Sequence, residues 1–277
     1  NDGVHTNNIN FLLACYTLLG ETRALEPLQR AMTCVLALQG GKPQAGWAMQ
    51  HKLDLNYSPG HARDFDPAGY AATATAEMCR NLMRFYRWTG DTKYLARIPD
   101  AFEFLESIRY NDAQMKQLGK SVKPGQILCP TFVEVGTNRP LYLHNDPDHY
   151  WVDYDYHGLI THYSSTRAID LQSLKDEYQH LLSLSKEEVT KDSPFIGQTD
   201  ISGTLLSHLM RGKMQQADTQ KVDSLLTILK KKDYLPGRLP SVSKENPGFS
   251  NAPLPSEVIS IKEYMNGMST FIQYLTK

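Results

Sequence analysis

Cysteine is scarce in this chain, and its four cysteines form no recognisable pair. Cys15, Cys34, Cys79 and Cys129 make no CxxC and no zinc-type spacing, so they read as small buried hydrophobes. Cys15 and Cys34 fall on partner helices at different heights, which disfavours a bridge between them. Long apolar runs are missing as well: none approaches the roughly 18 residues that a spanning helix needs. Neither sign of charge is in excess, with 29 basic against 30 acidic residues and a formal net charge of −1. That balance gives no electrostatic footprint for nucleic acid or an anionic membrane, so an anionic ligand must be met by local charges. There is no nucleotide-binding glycine pattern, no GxSxG elbow and no HExxH. Nucleophile-elbow and phosphate chemistry drop away, and the side chains left to work with are Asp, His, Arg and aromatics.

What the chain does have is a repeat of itself at an offset of 70 residues, Leu12 to Leu38 and again Leu82 to Ile108. Tyr16 meets Tyr86, Gly20 meets Gly90, Thr22 meets Thr92, Leu25 meets Leu95 and Ala31 meets Ala101. Apolar residues recur three and four apart in each copy, the glycine supplies a C-cap and the threonine is placed to cap the next helix. Each copy therefore predicts a helical hairpin. One hairpin cannot bury its own apolar stripe, so several must stack, as an open solenoid or as a closed toroid. Periodicity leaves both open. At 277 residues, 41% of them hydrophobic, the chain is long enough to bury a core, and residues 1–277 are expected to form a single domain.

Two stretches interrupt the helical pattern. The first, GGKPQAGWAMQHKLDLNYSPGHARDFDP, is broken by Gly40, Gly41, Pro43, Gly46, Pro59, Gly60 and Pro67. It holds Trp47, His51, Asp54, Tyr57, His61, Arg63, Asp64 and Asp66, and loops on one face of a helical array commonly carry function. The second runs from Gly119 to His162. Its ILCPTFVEVGTNRPLYLH predicts a short β-hairpin, and HNDPDHYWVDYDYH follows as an acidic loop that lacks the glycine and terminal glutamate of an EF-hand. Helix is expected again from Ser164 to Lys186 and in the last twenty residues, with a long surface loop from Lys231 to Pro255. Arg63 suits an acidic sugar, because a guanidinium stays charged and grips a carboxylate with two bonds. It suits a structural pair with Asp64 or Asp66 equally well. Trp47 and Tyr57 can stack on sugar rings, and Trp47 can equally be core.

Six segments in order, NDGVHTN, GWAMQHKLDL, HARDFDP, NLMRFYRWTGDTKYLARIPDAFEFLES, FVEVGTNRPLY and YWVDYD, resemble the pectate lyases of polysaccharide lyase family ten. The resemblance covers Asn1 to Asp192. It implies an all-α dominant fold, an α/α toroid with long irregular loops and a short β-hairpin, with substrate across the hairpin ends. It further implies calcium-assisted β-elimination on polygalacturonate or a related acidic plant polysaccharide, a secreted, periplasmic or cell-surface location, and a further part upstream of Asn1. Carried over by motif, Arg63 and Arg139 are the catalytic candidates, Trp47, Tyr57, His61 and Asp64 the substrate-binding ones, and Asp2 and Asp66 the calcium ligands.

Two positions depart from the family pattern. Gly3 stands in an opening motif that usually carries a second acid, and Thr131 stands where the resembled lyases carry the proton-abstracting arginine. A threonine hydroxyl is a far weaker base and brings no positive charge. A carbohydrate-binding relative without the base is the first alternative this raises. The second is an α/α-toroid glycoside hydrolase, which would need Asp64 or Asp66 opposite Asp153 or Asp155.

Overall fold

The computed structural model describes residues 3–61, 63, 65–160, 164–195, 218–232, 235–237, 258–259, 266–268, 270, 271 and 274. The chain divides into two compact units, Asn1–Ser202 and Gly203–Lys277. Both copies of the repeat are a helix, a tight turn and a second helix: α1 (Val4–Leu18) with α2 (Leu25–Ala37), and α3 (Ala72–Thr89) with α4 (Ile98–Ser107). Gly20 and Gly90 sit at φ 64° and 65°, the left-handed conformation that turns the chain out of a helix and that glycine adopts without steric cost.

The residue that caps each turn is the one before the threonine. Glu21 accepts from the Arg23 amide at 3.0 Å and Asp91 accepts from the Lys93 amide at 3.0 Å, each opening a single 3-10 turn. A carboxylate fits there because it meets free N–H groups at the start of a helical turn. In α2 the stripe Leu28, Met32 and Val35 is buried, whereas α3 is buried on most of its circumference and touches α2, α4 and two later helices, α6 (Leu171–Ser183) and α7 (Lys186–Thr190). It is the central helix of the first unit. The short α5 (Asp112–Gln117) opens on a reciprocal capping box between Asn111 and Gln114.

The expectation of an all-α toroid is not met. Beside the helices of the first unit stand a four-stranded antiparallel sheet and a separate two-stranded pair. The larger sheet has the order β1 (Gly69–Ala71), β3 (Phe132–Glu134), β4 (Pro140–Asn145), β5 (Tyr150–Asp153). The pair is β2 (Gln126–Pro130) with β6 (Thr166–Asp170), in a register that sets Cys129 opposite Arg167. The expected hairpin is present as β3–β4, with Phe132 opposite Leu141.

Two further segments depart from their expected form. YWVD, read as acidic loop, is strand β5 paired to β4, and helix after Ser164 begins only at Leu171, once β6 has ended. The physical reason is local: both stretches are short and carry β-branched or aromatic residues, Tyr150, Trp151 and Val152 in one and Thr166 and Ile169 in the other. Asp170 then accepts from the Ser173 amide and starts α6.

All four cysteines are free thiols. Burial pushes the Cys79 and Cys129 thiols up to about 12, so both are inert core groups. In the second unit a helix spans Thr219–Lys232, closing on three lysines that suit its negative end. The expected terminal helix and the expected loop from Lys231 to Pro255 lie largely outside the described residues. Among the described residues no helix is long and apolar enough to cross a membrane.

Candidate functional site

The segment between the two hairpins folds back on itself. Lys52 N–H donates to Ser58 O at 2.8 Å and Gly60 N–H to Gln50 O at 2.9 Å, with Asp54 in the bend. The Asp54 carboxylate accepts from the Ser58 hydroxyl and from the amides of Ser58 and Asn56, which together hold its carboxyl below the usual range. Tyr57 takes a left-handed φ of 47° at the end of this bend.

His51 locks the arrangement from inside. Its Nδ1–H donates to Tyr57 O at 2.7 Å, while Nε2 accepts from the Ala48 amide at 3.2 Å. Those two bonds require the neutral ring, and burial lowers its pKa in the same direction.

Trp47 is 1% exposed and belongs to the core. Its Nε1–H donates to Val35 O at 2.8 Å, and its own amide donates to the Thr75 hydroxyl. Trp47 and Tyr57 line a cavity of about 530 Å³ together with His5, His51, Lys52 and Glu77. His61, Arg63, Asp66 and Arg139 are not among its walls.

HARDFDP forms a separate cluster. Arg63 Nε donates to Asp66 Oδ2 at 2.6 Å, the Asp66 amide donates to Arg63 O, and His61 Nδ1–H donates to Asp66 O at 3.0 Å. Asp66 is 1% exposed, but the Arg63 side chain keeps 41% of its surface open. The guanidinium lies 4.9 Å above the Phe65 ring, and Phe65 meets Tyr150 of β5 with centroids 5.4 Å apart. The turn thus presents a cation held in place by a buried carboxylate and covered by the Phe65 ring, which Tyr150 meets in turn.

Asp66 Oδ1 is buried without a hydrogen-bond partner, the kind of hard oxygen a calcium ion takes. The other Asp66 oxygen is already paired with Arg63. Among the described residues no three His, Cys, Asp or Glu converge into a metal site. The other expected ligand, Asp2, and the substrate candidate Asp64 lie outside the described residues.

The β4–β5 ladder carries the remaining candidates. His144 is buried, with Nδ1–H toward Gly158 O at 3.1 Å and Nε2 2.8 Å from Asp153 Oδ1, and its ring stacks on Trp151, which His149 covers from the other side. Asp153 and Asp155 both have carboxyls held low, by the Asp155 and His157 amides first. An inverting or retaining hydrolase needs one carboxyl raised to act as acid, so neither of these supplies it.

At the β3–β4 turn the Gln44 side chain bridges three partners. Its amide donates to Glu134 O and Asn138 Oδ1, and its oxygen accepts from the Gly136 amide. The turn is thereby fixed under Arg139, whose guanidinium sits 3.5 Å from the centre of the Tyr154 ring. Tyr154 in turn donates to Glu134 at 2.5 Å. Thr131 is 2% exposed and its hydroxyl donates to Ser164 O, so it faces structure rather than solvent.

No protein-family model matches this chain, and no curated protein does. The weight of any functional assignment therefore falls on the site itself. Phe65, Tyr150 and Tyr154 were absent from the sequence-derived set. The signal that marks the two tyrosines is the alternation of YWVDYD, which sends Tyr150 and Tyr154 to one side and Trp151 and Asp153 to the other.

Proposed function

We propose that the chain is a pectate lyase-like protein acting on polygalacturonate or a related uronate polysaccharide by calcium-assisted β-elimination. The observation that carries this reading is the Arg63 cluster: a part-exposed arginine side chain, anchored by a buried Asp66 and set beside Phe65, which Tyr150 meets in turn. A carboxylate is gripped by the guanidinium while the sugar ring lies on an aromatic face, which is the chemistry an acidic sugar presents. Calcium, when bound, neutralises the uronate carboxylate and acidifies the carbon proton next to it. Asp66, with its orphaned Oδ1, is the described residue suited to hold that ion. Thr131 is buried and bonded to the backbone, so it supplies no base, and in this reading Arg63 acts in the reaction as the cation that holds the uronate carboxylate while the C5 proton leaves to another base. The reading also carries an acidic plant polysaccharide as partner and a secreted, periplasmic or cell-surface setting.

The test is polygalacturonate with calcium, followed by ultraviolet absorbance of the unsaturated product. Absorbance should grow with the natural chain and vanish in Arg63→Ala; Arg63→Lys keeps a charge for Asp66 and should retain the fold. Reducing ends without absorbance would mean hydrolysis. A binding-only role is favoured by one observation, the burial of Thr131 at the usual base position, and would show as substrate binding with neither product.

A further inference from the structure

The register of the large sheet brings the two arginine–aromatic pairs into one line. In antiparallel pairing, residues opposite each other point to the same face. Asn145 pairs with Tyr150 and Leu143 with Val152, so Tyr150 and Val152 share a face of the β4–β5 ladder. Tyr154 follows the end of the strand, and its contacts place it on that face. Phe132 pairs with Leu141, so Glu134 and Arg139, each two residues further along, lie on the same face, and Tyr154 touches both. Arg63 and Phe65 meet this face at its other end, through Tyr150.

Strand β5 is the sheet edge, and Tyr150 and Tyr154 are 37% and 43% exposed. Tyr154 directly follows the end of the strand, so an extended backbone would separate the two by about 13 Å.

We infer that the β5 edge is an extended subsite for an anionic oligosaccharide, with one uronate carboxylate at Arg63 and a more distant one at Arg139. Tyr150 and Tyr154 support the sugar rings between. This rests on the uronate reading above and adds to it the path of the chain. A single sugar or a disaccharide is shorter than the span and reaches only one arginine. The guanidinium of Arg139 is held flat against Tyr154, and Tyr154 is fixed by Glu134, so little side-chain freedom is lost when a carboxylate arrives. An acidic peptide would answer to the charges but gain nothing from the rings.

The test compares a galacturonate hexamer, a dimer and polyglutamate by calorimetry on the full chain. The hexamer should bind more tightly than the dimer, and that advantage should shrink by about tenfold in Arg139→Gln and in Tyr154→Ala, the loss of one charged hydrogen bond or one stacking contact. Thermal unfolding of both variants at the temperature of the natural chain checks that the fold is kept. An unchanged hexamer-to-dimer ratio in Arg139→Gln and Tyr154→Ala overturns the extended subsite while leaving the uronate reading standing. Polyglutamate binding as tightly as the hexamer, with the same losses, overturns it in favour of a peptide-binding edge. Failure of the natural chain to bind any uronate removes both the subsite and the reading under it.

Discussion

Single residues in this protein do their work through one or two well-placed bonds, and His51 shows how that makes them sensitive to pH. Its folded pKa lies below the ordinary value of 6.5 because burial disfavours the charged ring. His5, half-buried on the same cavity and bonded to Ala31 O, is shifted the same way for the same reason. A base with a depressed folded pKa binds its proton more readily in the unfolded chain. Its stabilising contribution is therefore complete above about pH 6.5 and is lost as pH falls through the folded pKa. Thermal unfolding should accordingly move to lower temperature between pH 7 and pH 5, and His51→Gln should flatten that slope; an equal slope in the variant would rule out the histidine as its source. Trp47 makes a second case. Trp47→Phe leaves Val35 O unsatisfied and opens core space, so urea denaturation should show a loss of about 2–3 kcal/mol. Of the two alternatives weighed for Arg63, the structural pair is present, with Asp66 as its partner. The contact of Arg63 with Phe65 was within reach of the sequence, but the link onward to Tyr150 was not, because 85 residues separate Phe65 from Tyr150 and only the sheet brings them together.

Among the elements, the two hairpin turns are near copies in backbone and differ in surroundings. A Cβ on Gly20 would meet nothing within 4 Å, whereas one on Gly90 would lie 2.7 Å from Lys186 Cε and 3.1 Å from Thr190 Cγ2. Both substitutions to alanine carry the left-handed penalty of about 1 kcal/mol. Gly90→Ala should be the more destabilising of the two in chemical denaturation, because Lys186 and Thr190 must also give way. Equal losses would mean that α7 moves freely at the turn. The hairpins themselves were legible, since their apolar spacing and paired glycines survive in both copies. The strands were legible only where a turn signal marked them, at GTNRP between β3 and β4. β1, β5 and β6 were missed, and the residues of β2 were read as part of the hairpin, for a physical reason: three to five residues give too few periods to separate a strand from a loop, and the partners of β1, β2 and β6 lie far away in sequence. β6 follows β2 by some forty residues and is a strand because β2 is there to pair with.

At the scale of the molecule, an array of helical hairpins supports an antiparallel sheet, and the candidate uronate site lies where the segment between the hairpins meets the edge of that sheet. The expectation of an all-α dominant toroid with one short β-hairpin failed because it assigned the rest of the long interruptions to loops, whereas they also supply the other strands. Asp66 ties the charge at one end of that site to the core, which makes it the group whose loss should be felt most. Asp66→Asn removes the charge that positions Arg63 and the oxygen suited to calcium. Both calcium-dependent binding of polygalacturonate and turnover should fall by at least tenfold, and calcium titration by calorimetry checks the first of these directly. The most direct test of the central claim, that this site performs elimination on a uronate polymer, is the mass of its products. Oligouronates released from polygalacturonate by the natural chain with calcium should each be one water lighter than saturated oligomers of the same length, and none should appear with Arg63→Ala. Products of full saturated mass, or lighter products undiminished in Arg63→Ala, would contradict it.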